Sequence, residues 1–164
     1  MPVQQLGNDT TTVYASGQEY VMERVFNAPR ELVWRALTEA ERIPRWWGPR
    51  DHSMTVEQMD VRVGGAWRWV SHSPDGDAPF KGEYLEVAPP ERLVHTEIFD
   101  VEPFNIGDAA AIVTITLEDV GGKTKLTSRS RFPSEESLQG AVATGMTGGA
   151  IESWDRLEEE VARM

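Results

Sequence analysis

Along residues 53–132 hydrophobic and polar positions alternate in short runs separated by turn residues, whereas from Leu138 to Val161 apolar residues recur every three or four positions. The first pattern predicts strands and the second a helix. The run "HSMTVEQMDV" ends at Gly64-Gly65, and "AWRWVSH" ends at the turn Ser73-Pro74-Asp75-Gly76. "FKGEYLEV" is closed by Pro89-Pro90 and followed by "RLVHTEIFDV". After a loop over Pro103–Gly107, "AAIVTITLEDV" puts Val113, Ile115 and Leu117 on one face and Thr114, Thr116 and Glu118 on the other. Gly121-Gly122 is a hairpin signal, and "KTKLTSRSRF" returns with Leu126, Ser128, Ser130 and Phe132 sharing a side. Strands joined by tight turns predict an antiparallel meander.

Before this meander the pattern is mixed. Residues 1–18 are polar and punctuated by Gly7 and Gly17, which predicts a loose arm with a short strand near Thr11–Tyr14. "YVMERVFN" is rich in strand formers and stops at Asn27-Ala28-Pro29. Proline suits a first helical position, and "PRELVWRALT" then aligns Leu32, Val33, Ala36 and Leu37 on one helical face. Thr38 and Glu41 are spaced as a capping box, which predicts a second short helix running into Trp46-Trp47 and ended by Gly48-Pro49. The C-terminal stripe comprises Leu138, Val142, Met146, Ala150, Trp154, Leu157 and Val161 and predicts one helix over about 134–163, with a break near Gly145–Gly149. The fold class is α+β: a curved antiparallel sheet around a long C-terminal helix, with two short helices after the first strand. The expected organisation is a polar arm over 1–18 and one domain over 19–164. One helix cannot fill the concave side of so long a twisted sheet, so a cavity or a plug of large side chains must occupy the remainder.

Composition narrows the partners. The net charge is −11 with an isoelectric point near 4.7, a sign that opposes nucleic acid and anionic membranes. No stretch is long and apolar enough for membrane insertion, and the start has no signal-peptide pattern, so a cytoplasmic location is expected. Cysteine is absent, which excludes disulfides and thiolate chemistry. His52, His72 and His95 fall on separate strands without ligand spacing, so no metal is expected. "VGGAW" is a strand-turn glycine pair rather than a phosphate loop, no GxSxG elbow occurs, and no cofactor is expected.

The candidate chemistry lies in the aromatics and in polar residues on the strands. Trp46 and Trp47 are adjacent on a short helix and diverge by about 100°. One is expected to pack beneath the helix and the other to lean toward the sheet. Trp67 and Trp69 alternate on one strand and share a face. Core packing and a cavity wall both remain open for the four. Ser128 and Ser130 sit between apolar neighbours on an inward-reading face. His95 and Glu97 share a face, and Tyr84 and Glu86 share a face on the preceding strand. They form either an acid–base set in a cavity or a solvated outer surface, because alternation alone does not say which side of strands 82–87 and 92–100 is inside. Asp60 and Arg62 share a strand face and are expected to form a structural pair with a neighbouring strand.

The segments "VFNAPRELVWRALTEAERIPRWWGP", "MDVRVGGAWRWV", "PDG", "FKGEYLEVAPPERLVHTEIF", "VTITLEDVGGKTKLTSRSRF" and "TGMTGGAIESWDRLEEEVA" occur in an order that resembles the START-like (SRPBCC, birch-pollen-allergen-like) superfamily. Within it the chain resembles the branch named for homology to the activator of the heat-shock-90 chaperone ATPase, over Tyr20 to Met164. The resemblance implies a helix-grip fold with a hydrophobic cavity between sheet and helix. It implies a small apolar or aromatic ligand, with Trp46, Trp47, Trp67, Trp69, Tyr84, Glu86, His95, Ser128, Ser130, Met146 and Trp154 as expected contacts. Related branches include polyketide cyclases, which makes acid–base catalysis by Tyr84, Glu86, His95 or Glu97 the alternative. A chaperone-binding module is a third reading, and a homodimer stays open.

Overall fold

The computed structural model describes residues 3–105 and 109–164. The elements are β1 (Gln4–Gln5), β2 (Thr12–Ser16), β3 (Glu19–Phe26), α1 (Arg30–Thr38), α2 (Ile43–Trp46), β4 (Ser53–Met59), β5 (Ala66–Ser73), β6 (Gly76–Ala88), β7 (Arg92–Phe99), β8 (Ala111–Val120), β9 (Lys123–Arg131), α3 (Glu135–Ala143) and α4 (Met146–Ala162). The strands form one antiparallel sheet in the order β1-β2-β3-β9-β8-β7-β6-β5-β4. From β4 to β9 each strand pairs with its sequence neighbour, as tight turns require. The chain then closes on itself, because β9 pairs with β3, with Glu19 opposite Arg131 and Phe26 opposite Thr124.

Helix α4 lies against the concave face and buries Ile151, Trp154, Leu157 and Val161. Trp154 meets Phe26 of β3 edge to face at 5.7 Å between ring centroids. Helices α1 and α2 pack against α4 and also reach strands of the sheet, and their Val33, Ala36, Leu37, Ile43 and Trp46 join the same core. Glu160 of α4 is buried there, held by Arg42 at 3.1 Å, Arg45 at 3.6 Å and Arg163 at 3.1 Å. A buried carboxylate is tolerated only with such partners. A second, smaller core of Trp67, Tyr84 and Leu93 fills the β5–β7 half of the sheet, and Trp34 touches both.

The expected short strand near Thr11–Tyr14 is β2 and the expected break near Gly145–Gly149 occurs, while other expectations change. Residues 4–5 and 12–16 within the polar arm are strands of the sheet, and Val13 and Ala15 of β2 are buried against the core. The capping box does not form: the Thr38 hydroxyl donates to the Trp34 carbonyl inside α1, and Arg42 stands at the start of α2 with no side-chain cap. The C-terminal stripe is divided at Thr144-Gly145, where Gly145 has φ of +82°, a left-handed conformation suited to glycine. Asp60 and Arg62 pair with each other, at 2.8 Å, in the turn after β4. Of the expected Pro103–Gly107 loop, residues 106 and 107 lie outside the described residues.

Candidate functional site

Between the concave face and α4 lies a half-enclosed cavity of about 460 Å³. Its floor comes from alternate residues of β5 to β9 and β3, and its roof from α4 and the segment after α2. Trp46 and Trp47 take different parts, as their divergence requires. Trp46 is buried and donates its indole N–H to the Ala36 carbonyl at 2.8 Å. Trp47 turns toward the sheet and meets Trp69 at 5.7 Å and Phe80 at 5.5 Å, both edge to face. Such aromatic contacts contribute roughly 0.5–1.5 kcal/mol each beyond area burial.

Helix α4 holds this turn in place. Arg156 donates one guanidinium nitrogen to the carbonyls of Trp47, Gly48 and Pro49 and another to that of Arg45. The Gly48 amide donates to the Ser153 hydroxyl at 3.0 Å. Close approach is possible because Gly149 presents no side chain to Pro49, whose Cγ lies 3.3 Å from where a Cβ would sit.

The polar groups of the floor lie on β6 and β7. Tyr84 pairs with His95 across the two strands. The His95 Nδ1 lies 3.1 Å from the Thr96 carbonyl, which can only accept, so Nδ1 carries the proton and Nε2 of the neutral ring is an acceptor. Burial pushes the His95 imidazole below its ordinary pKa, opposed by the Thr96 carbonyl. Burial, with a smaller contribution from the Asp60 carboxylate, pushes the Tyr84 phenol up. Glu97 is enclosed by protein except where it fronts the cavity, and burial raises its pKa to about 7. Its partner across the β7–β8 ladder is Ala111, which has no polar side chain, and among the described residues no side chain pairs with its carboxyl group. On the other flank, Gly82 lies between Phe80 and Tyr84. A Cβ there would meet the Thr96 carbonyl at 1.9 Å and the Trp67 indole nitrogen at 2.5 Å, so Trp67 occupies the place of the missing side chain and donates to Thr96. The indole N–H of Trp69 is buried without a partner.

Ten of the eleven expected contacts therefore line one cavity: Trp46, Trp47, Trp67, Trp69, Tyr84, His95, Ser128, Ser130, Met146 and Trp154. Glu86 does not. The β6–β7 register shifts between Tyr84 and Glu86, so Leu85 is an extra residue in the strand and Glu86 emerges on the outer face, paired with Arg92 at 2.5 Å. Glu97, weighed for catalysis but not as a ligand contact, is in the wall. Phe80 and His52 also line it. Phe80 was within reach of sequence reasoning, because a tight turn pairing Ser73 with Gly76 necessarily places it opposite Trp69. His52, expected at the head of a strand, instead precedes β4, with its amide bonded to the Pro49 carbonyl in the turn. Among the described residues no cluster of three or more His, Asp or Glu has the geometry to hold a metal ion, and no helix is long and apolar enough to cross a membrane.

The family model of Activator of Hsp90 ATPase homolog 1-like proteins matches residues 27–162. The chain belongs to that family. All of the cavity wall except Tyr20 and Met22 falls within the matched residues. Solved structures agree in fold, which is the START-like helix-grip. A solution structure of a protein from Arthrobacter aurescens is 25% identical over 93% of this chain and 91% of its own, with a TM-score of 0.84. A crystal structure from Rhodobacter sphaeroides is 26% identical over 99% of this chain and 100% of its own, with a TM-score of 0.80. A solution structure from Staphylococcus epidermidis is 26% identical over 92% and 93%, also with a TM-score of 0.80. No curated protein matches the chain.

Proposed function

We propose that this protein binds a small, largely apolar or aromatic molecule in the cavity beneath α4. The observation that carries this reading is the combination of a cavity of about 460 Å³, within the usual range for ligand sites, with aromatic walls and a few unpartnered polar groups. Polar groups that only filled a core would be hydrogen-bonded. Here the Glu97 carboxyl and His95 Nε2 front the cavity with no described donor. A panel of polycyclic aromatic compounds titrated against intrinsic tryptophan emission tests the reading. Trp47→Phe should change the ligand response at unchanged fold, whereas Trp46→Phe, which loses the indole bond to the Ala36 carbonyl, should act mainly by lowering thermal stability. Absence of any response across the panel would overturn it.

A second reading is acid–base catalysis of the polyketide-cyclase kind. It is favoured by Glu97, whose pKa of about 7 suits proton transfer near neutral pH, beside the neutral His95. A cyclised product from a linear poly-β-ketone, lost in Glu97→Gln, would support it. For a chaperone partner the support is the family description. For a homodimer it is the two open sheet edges, β1 and β4.

A further inference from the structure

The charge inventory of the cavity wall is one-sided. Glu97 is the only carboxylate in it, and no lysine or arginine lines it among the described residues. An anionic ligand would meet Glu97 with no cation to compensate its own desolvation. Two acceptors, the Glu97 carboxyl and His95 Nε2, lie two residues apart on the same face of β7 and face the cavity without described donors. Trp67 meets the His95 ring edge to face at 5.5 Å between centroids, and its own ring lies 4.8 Å from that of Trp69. Acceptors beside indole faces are the chemistry that holds an ammonium group, by charge-assisted hydrogen bonds and by attraction to the aromatic quadrupole. A net charge of −11 adds a field that draws cations in.

We propose that the cavity selects an apolar aromatic molecule bearing a protonated amine, with the ammonium held at Glu97 and His95 and the ring body against Trp47, Trp69 and Phe80. This assignment rests on the cavity being a ligand site. A neutral alcohol of the same shape offers one donor for two acceptors and no charge, and a carboxylate finds no cation in the wall and must force Glu97 into its protonated form.

Calorimetric titration of the full chain at pH 7 with naphthylmethylamine, naphthylmethanol and naphthoate tests it. The amine should bind roughly tenfold or more tightly than the alcohol, and naphthoate most weakly. Binding of the amine should release about half a proton, read from buffers of different ionisation heat, because a carboxyl with a pKa of about 7 is driven to full ionisation by the cation. Glu97→Gln is isosteric and breaks no described contact. It should bring the amine to the affinity of the alcohol and abolish the proton release. If the amine is no tighter than the alcohol in the wild type, or keeps its advantage in Glu97→Gln, the amine assignment falls while alcohol binding still supports the cavity as a ligand site. If none of the three binds, both fall.

Discussion

At the scale of single residues, Glu97 couples the cavity to pH. Its carboxyl titrates near 4.5 in the unfolded chain and near 7 in the folded protein. The native state therefore holds the proton more tightly, so the group's contribution to stability is complete below pH 4.5 and is lost as pH rises through 7. After allowance for the water that reaches it through the cavity, the loss is about 1–3 kcal/mol. Glu97→Gln removes the ionisation, so urea unfolding should find the variant equal to wild type at pH 4 and more stable by that amount at pH 8. Tyr20, His52, Tyr84 and His95 share the wall and are common to both proteins, so the difference isolates Glu97. Glu86→Gln is the control: on the outer face with Arg92, it should leave any ligand response unchanged. The sequence placed Tyr84 and Glu86 on one face because strict alternation has period two. A single extra residue, Leu85, reverses that parity, and nothing about an ordinary leucine announces a bulge. The same indeterminacy left His95 and Glu97 without an assigned side, whereas Ser128 and Ser130 were legible because Leu126 and Phe132 bracket them on a regular strand.

At the scale of elements, α4 does two jobs, covering the sheet and fixing the Arg45–Pro49 turn. Arg156→Ala should cost about 1–3 kcal/mol by leaving four carbonyls short of their donor, and should weaken ligand responses that depend on Trp47. Arg156→Lys should recover only part of both, because an ammonium is a point donor without the planar fork. Paired thermal melts and titrations read these effects. The glycines of this region divide by conformation. Gly148 lies within α4 with open space around it, so Gly148→Ala should stabilise by about 0.5–1 kcal/mol. Gly145 has the left-handed backbone that ends one helix and begins the next, so Gly145→Ala should destabilise by about 1 kcal/mol. Periodicity revealed the stripe and composition revealed the break. The absent capping box shows the weakness of a motif that needs a free helix start: Thr38 is still inside α1, and its hydroxyl bonds backward instead.

At the scale of the whole molecule, the order of elements from β3 onward followed from the hydrophobic pattern, which left a cavity and a plug of side chains open beneath the helix; the family resemblance implied the cavity. The N-terminal strands were less legible, because β2 is short and its inward residues are only Val13 and Ala15. Charge is the global property with a functional consequence. If the ligand is a cation, its association should slow as salt is raised from low to physiological ionic strength, while that of the neutral naphthylmethanol should not. Stopped-flow titration at two salt concentrations reads the contrast.

The pairing of β9 with β3 also bears on how the protein comes into being. Strands β4 to β9 can zip together from local hairpins, but the ladder that sets Glu19 against Arg131 must first join ends separated by most of the chain. Closing so long a loop is slow, and topologies dominated by distant contacts fold in milliseconds to seconds rather than microseconds. On a ribosome, neither Tyr20 and Ser130 nor Met22 and Ser128, which face each other across that ladder in the cavity wall, can meet until β9 has emerged. Once β5 to β7 have emerged, the nascent chain thus carries an unroofed, aromatic-rich half-sheet, and it acquires its hollow only when the last fifth of the sequence arrives.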